Sequence, residues 1–318
     1  KCGKDDVSAN YTLAYIYGKI SVTARNVLVV TGSGEWVYSA QDYSNPTAQT
    51  SHVLSDGWFE DGEKDFVLDH ALALSKLFTA QAAGTHPNEC EYTVKNASGD
   101  DVSVNYNLIR QFCSLVIRPR PLVITTHDGN DVYDDEPFEY AYATPEEFDA
   151  AGERGICTGH VIECDRTQKV ASVTYVTEGR VENELYFTVK DASGEPVTDN
   201  YDVSYEYGEI YVTKRPVTLT TATSCKEFDG EPYCDQSYTI TGGSLVDGHS
   251  VSVVDTVYVR FVTEGEVKNE VSYAIFKGPD ENLTENYDIS YEYGYVSVTV
   301  RYVEVRTASN HWIYDGDA

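Results

Sequence analysis

The sequence predicts a mostly β protein, assembled from tandem β-rich modules of 86 to 95 residues. Three observations carry that expectation. A phrase beginning Asn-Tyr recurs at Asn10, Asn105, Asn200 and Asn286, with spacings of 95, 95 and 86 residues. A period of that size is a whole small domain, longer than a solenoid repeat. The composition favours strands: 26 Tyr with many Val and Thr, set between Asp-Gly and Asn-Tyr turns. Finally, the closing phrase of one copy runs straight into the opening strand of the next, as in Val212-Thr-Lys-Arg-Pro-Val-Thr-Leu219.

Measured against the phrase, residues 1–24 are the closing hairpin of a preceding module. Residues 25–119 form a divergent β module, 120–214 and 215–300 two regular ones, and 301–318 the start of a following copy. The third module shows the plan most clearly. Val217-Thr-Leu-Thr-Thr221 alternates apolar and polar residues, as a half-buried strand does. Phe228-Asp-Gly-Glu-Pro232 is a tight turn, with Gly230 free to take a positive φ. Tyr238–Thr241, Val251–Val259 and Val271–Phe276 supply further strands around a loop at Gly242–His249. The expected closing hairpin is Tyr287–Tyr293 with Tyr295–Val300, turning at Gly294.

In that closing phrase Tyr287, Ile289, Tyr291 and Tyr293 share one face and Asp288, Ser290 and Glu292 the other. Period-two alternation turns the aromatic row to the core and the acids to water. The second module follows the same plan and inserts Pro145–Ala151, expected as a short helix with Pro in its first turn. In the first module Cys113 stands where the other copies have Gly18, Gly208 and Gly294. That module also carries Trp58-Phe59 in a turn-rich stretch, the sequence's candidate contact point for a ligand. Pro121 and Pro216 fix φ and lack an N–H at strand starts. With no Gly/Ser tract between modules, neighbours are expected to move little against each other.

Fifty-two acidic against 23 basic residues give a net charge of −29. Such a field repels phosphate backbones, so nucleic acid is not an expected partner; its plain role is solubility. No run of about 18 apolar residues is present, so membrane insertion is not expected. Of seven cysteines, six fall into local pairs: Cys90 with Cys113, Cys157 with Cys164 and Cys225 with Cys234. Each pair brackets a turn, making them disulfide candidates among 15 possible connectivities, with Cys2 left over. Bridges there would place the protein in an oxidising, extracellular space.

Motifs with chemistry are sparse. Cys157, His160 and Cys164 offer three zinc ligands where a structural site needs four. Asp128–Glu136 is acid-rich but lacks the calcium-loop pattern, so no metal and no cofactor is expected. His160 and His249 follow a Gly at the same place in successive modules and belong to the repeat. No nucleophile motif or phosphate loop has supporting context, so the chain is not expected to be an enzyme. Lys95 and Lys190 fall at equivalent strand ends, where a Lys–Asn or Lys–Asp cross-link is conceivable; an intact mass would decide it.

Lys226-Glu-Phe-Asp-Gly-Glu-Pro232, Gly243-Ser-Leu-Val-Asp-Gly-His249, Thr263-Glu-Gly265, Asn269-Glu270 and Thr284–Tyr291 together carry a resemblance. The chain resembles the tandem modules of large Gram-positive bacterial surface proteins, the MBG (mostly-β, β-grasp-like) domains and the related YDG-type repeats. The resemblance is strong over 120–301, weak over 25–119 and partial at the ends, where Tyr314-Asp-Gly316 opens another copy. It implies a β-grasp-like fold with little helix; an immunoglobulin-like sandwich is the alternative. It also implies a non-catalytic stalk of an extracellular adhesin, attached to the cell wall through regions outside this stretch. The partners implied are neighbouring modules and a host or neighbouring-cell glycoprotein. Two alternatives stand beside it: modules that bind host glycan, mucin or immunoglobulin themselves, and an accessory region of a secreted polysaccharide-active enzyme.

Overall fold

A computed structural model describes residues 7–51 and 70–316. The fold is mostly β, with small two- and three-stranded sheets and, among the described residues, only three-residue 3-10 turns as helix. One strand plan recurs three times. In the third module Arg215–Thr221 lies between Tyr238–Gly243, antiparallel to it, and Tyr287–Glu292, parallel to it. Ser224–Glu227 runs parallel to Tyr295–Thr299, which Val267–Lys268 flanks on its other side. His249–Asp255, Ser272–Lys277 and Glu281–Asn282 make a third sheet. The first module repeats this with Arg25–Thr31 parallel to Tyr106–Gln111 and Gly34–Val37 parallel to Ser114–Arg118. The second repeats it with Arg120–Thr126 beside Tyr201–Glu206 and Gly129–Val132 parallel to Glu209–Thr213.

This plan corrects the expected closing hairpin. Tyr287–Glu292 and Tyr295–Thr299 are not paired with each other; the chain bends at Gly294 and passes from one sheet to the next. The glycine answers to crowding. A Cβ on Gly294 would stand 2.4 Å from the Ala222 carbonyl oxygen, and one on Gly208 would stand 2.6 Å from the His127 carbonyl carbon. The Gly294 N–H donates to Thr221 Oγ1 at 3.0 Å, as Gly208 does to Thr126 and Cys113 to Thr31.

Residues 11–24 form no strand and expose Tyr11, Tyr15 and Tyr17, and residues 301–315 form no strand either.

Alternation sets each sheet's buried face as expected. Val217, Leu219 and Thr221 are buried while Thr218 and Thr220 are half-buried. The Tyr row is graded: Tyr287 is buried, Tyr291 and Tyr293 half-buried, and the intervening Asp288, Ser290 and Glu292 exposed. Tyr291 stays satisfied at the rim by accepting the Tyr273 N–H at 3.1 Å. The turn glycine also behaves as expected: Gly230 has φ 92°, and its counterparts Asp135 and Ala40 hold φ 71° and 57°. The Pro145–Ala151 helix is not formed. Asp149 Oδ1 accepts the Ala151 and Gly152 N–H groups instead, making a tight turn of that stretch. Leu245–His249 is not helical either and closes the loop expected at Gly242–His249.

Each module is fastened internally by one fully buried asparagine. Asn88 Nδ2 donates to the Gly32 and Asn45 carbonyls, Asn183 to those of His127 and Tyr140, and Asn269 to those of Ala222 and Asp235, all within 2.7 to 3.0 Å. Both neighbours being acceptors, only the amide nitrogen fits that side.

The chain folds as two compact units: Lys1–Leu122, Glu147–Gly159 and Val197–Val203 in one, Val123–Glu146, His160–Pro196 and Ser204–Ala318 in the other. The first has a core around Val27, Val29, Cys90 and Tyr92. In the second, one core runs without interruption through residues of two modules: Tyr133, Val173, Ile210 and Val212 with Val217, Leu219, Tyr273 and Tyr287.

Candidate functional site at the module joints

The second unit contains the boundary between the second and third modules. Arg215, the residue that opens the third, donates from Nη1 to the Tyr133 carbonyl at 3.2 Å. Its Nε and Nη2 bind the Ser244 carbonyl and hydroxyl, each at 2.9 Å. Tyr133, 1% exposed, meets Tyr287 edge to face at 5.6 Å. Beside them the buried Asn286 accepts the Val176 N–H through Oδ1 at 2.9 Å. The Tyr287 hydroxyl accepts the Val246 N–H at 3.1 Å and lies 2.6 Å from Nδ1 of His249.

The first unit holds the same arrangement at the preceding boundary. Arg120, only 2% exposed, donates from Nη1 to the Tyr38 carbonyl at 3.1 Å. Its other donors reach the carbonyls of Gly155, Asp149 and Arg154 between 2.6 and 2.9 Å. Four carbonyl dipoles and the Phe148 ring, 4.3 Å below, replace the water that a buried guanidinium gives up. Tyr38 and Tyr201 meet edge to face at 5.6 Å, and Asn200 Oδ1 accepts the Ala83 N–H at 2.7 Å. The Tyr201 hydroxyl accepts the Cys157 N–H at 3.1 Å.

An arginine, two tyrosines and an asparagine thus recur as one clamp. The two joints differ in charge. Where the first has Ala40, the second has Asp135, whose Oδ1 accepts from the Tyr133 hydroxyl at 3.1 Å and whose Oδ2 pairs with Lys277 at 2.5 Å. The buried His249 places Nε2 3.5 Å from Asp135 Oδ2, a contact too loose for a hydrogen bond. Burial raises the Asp135 pKa, but hydrogen bonds from Lys277 and Tyr133 outweigh it and hold the carboxyl below its usual value. Burial, with help from Asp135, drives the Tyr133 phenol well above the ordinary tyrosine range.

The third module repeats the covered side of the clamp. Phe228 and Phe261 lie 6.4 Å apart, as Tyr133 and Tyr175 do at 6.3 Å, and Phe261 is half exposed.

The sequence marked the Asn-Tyr phrase and the Arg-Pro start but read them as core edge and punctuation. That they face each other across a boundary was missed. The available signal was co-occurrence: Arg25, Arg120, Arg215 and Arg301 each open a copy. His249 was read as part of the loop pattern; it binds the closing-phrase tyrosine, as His70 does Tyr106 at 2.5 Å.

The remaining sequence candidates disperse. Trp58, Phe59 and Cys2 lie outside the described residues. Cys90, Cys113, Cys157, Cys164, Cys225 and Cys234 are all free thiols, which corrects the expected bridges. For Cys225 and Cys234 the reason is topological, because the turn they bracket does not join paired strands. Ser224–Glu227, carrying Cys225, pairs with Tyr295–Thr299, whereas Tyr233, next to Cys234, bridges to Val259. Cys90 sits in the first module's core and Cys113 at its sheet-changing corner. Burial pushes the Cys157 thiol pKa up against the opposing pull of Tyr201 beside it, while Cys164 ends the strand Val161–Cys164.

The Asp128–Glu136 carboxylates point to separate tasks: Asp128 accepts the Glu209 N–H, Asp134 that of Glu136, and Asp135 serves the joint. Among the described residues no three His, Cys, Asp or Glu side chains gather as a metal site. Lys190 pairs with Glu163, and Lys95 is exposed. No described helix is long and apolar enough to cross a membrane. In comparisons with known proteins, no family model matches the chain and no curated protein matches it.

Proposed function

We propose that this chain is a non-catalytic spacer of an extracellular bacterial surface protein, in which clamped modules hold a distal binding region away from the cell wall. The observation that carries the reading is the recurring joint. A protein whose modules only needed tethering would join them by a solvated linker. Here an arginine, an Asn-Tyr pair and a tyrosine from the previous module are committed at both boundaries, and a core passes through the second. Such joints resist reorientation because moving them strands buried donors and acceptors. The resemblance to MBG and YDG-type surface repeats supports the same setting, with an adhesin as the whole protein and a host or neighbouring-cell glycoprotein as its partner.

The test is a distance measurement across the second joint. Spin labels placed by non-cysteine chemistry at Glu195 and Glu266, both exposed, should give one narrow distance distribution. A broad distribution in the unmodified protein contradicts a spacer of fixed joints.

A further inference from the structure

We propose that the cleft beside Trp36 in the first unit is a binding site for a neutral saccharide, a function independent of the spacer role. The cleft measures about 450 Å³, the size range of small-ligand sites. Its wall carries Trp36 and Tyr43, with ring centroids 5.5 Å apart, and its floor carries Arg120 and Phe148.

Trp36 is the residue that the repeat does not explain. Gly34–Val37, Gly129–Val132 and Ser224–Glu227 occupy the same register beside their parallel partners. The place of Trp36 is taken by Asp131 in the second module and Lys226 in the third. A position that holds Asp or Lys elsewhere does not need an indole for packing. Trp36 is only half-buried there, and its ring lies so close over Gly34 that a Cβ would meet it at 2.1 Å. The indole is thereby braced flat on the backbone. Tyr43, by contrast, is a core residue of the fold, bridged to Ala80.

The polar groups set the ligand class. The rim offers acceptors: the Glu35 and Asp42 carboxylates and the Ser39 and Ser44 hydroxyls. Glu35 is already opposed by Arg118 at 3.2 Å, and Asp42 is engaged by Gln81 at 2.7 Å. The buried Arg120 charge lies beneath. A cation would meet that guanidinium, and the nearby Phe148 face is already taken by it. An anion would meet the rim carboxylates. A pyranose satisfies both features, laying its C–H face on a braced aromatic ring and donating hydroxyls to the rim acceptors.

The experiment titrates cellobiose, lactose and maltose, and separately choline and sialyllactose, into the 318-residue protein while following the tryptophan indole N–H resonances. Trp36→Lys, which installs the third module's residue, and Trp36→Ala are run alongside, with Trp312→Phe as control. The expected result is a saturable shift of the Trp36 resonance by at least one of these sugars, with a Kd of about 1 mM. Both Trp36 variants, which lack the reporter indole and are therefore followed by titration calorimetry against the unmodified protein, should lose that binding by about tenfold or more, and Trp312→Phe should not. Two outcomes overturn the proposal. One is no shift by any of the three disaccharides up to about 50 mM, far above that Kd. The other is choline or sialyllactose binding at Trp36 more tightly than the neutral sugars, which would assign the cleft to an ion.

Discussion

Asn286 accepts the backbone N–H of Val176, 110 residues upstream, through a side chain that is 3% exposed. Asn200 makes the same bond to Ala83 across 117 residues in the first unit. A helix or strand would satisfy such an N–H locally. Here a side chain from the next module does it, so each module finishes the hydrogen bonding of the one before.

Asn286→Ala should therefore destabilise the protein, since it strands a buried donor. The expected loss is about 1–3 kcal/mol, read as a lower denaturant midpoint with an unchanged slope. Asn105→Ala, at the exposed first-module counterpart, should change it by less than about 0.5 kcal/mol.

Arg120→Ala and Arg120→Lys should both be costly. Four carbonyls converge on the guanidinium fork, and an ammonium with three donors cannot serve them in that plane. We expect about 3 kcal/mol for Ala, with Lys recovering less than half, by urea unfolding.

Through Asp135 the second joint should carry an acid dependence that the first, with Ala40 in that place, lacks. The Asp135 pKa is depressed, so its contribution is present above the unfolded value of about 3.9 and is lost as pH falls through the folded one. Lys277 and Tyr133 are raised, so theirs are present below about 10 and are lost as pH rises beyond it. His249, Tyr175 and Tyr287 face the same cluster. Asp135→Asn should flatten the acid limb of stability, while Ala40→Asp in the first joint should leave stability above pH 5 no better.

Gly294→Ala should be destabilising although its φ is unremarkable, because the added Cβ meets the Ala222 carbonyl at 2.4 Å. A cost of about 1–3 kcal/mol is expected from calorimetry. Gly230→Ala tests the other use of glycine. With open space around it and φ 92°, it should lose only the backbone strain, about 1 kcal/mol.

Local patterns were legible in the sequence and long-range ones were not. The alternation at Val217–Thr221 placed a strand and its buried face, and Phe228-Asp-Gly placed a turn with positive φ at Gly230. Those follow from neighbouring residues alone. The pairing of Tyr287–Glu292 with Arg215–Thr221 joins residues about 72 apart, and nothing in either segment names the other. A closing phrase with a central glycine reads as a hairpin, yet Gly294 is there for close approach to Ala222. The same mistake misplaced the Cys225–Cys234 bridge, since a bracketed turn implies facing cysteines only if its flanking strands pair, and Ser224–Glu227 pairs with Tyr295–Thr299 instead. Of the site, the right residues were marked but assigned to one module at a time. Asn286 and Arg215 have partners in another module, and a repeat read copy by copy hides what lies between copies.

The central claim is that successive modules complete each other through the clamp. Native-state hydrogen exchange of the Ala83 and Val176 amides tests it most directly. Both N–H groups have partners only in the next module, so the clamp predicts exchange as slow as that of core strand amides such as Leu219, accelerated by Asn200→Ala and Asn286→Ala respectively. Exchange of both at the rate of open loops in the unmodified protein would contradict it.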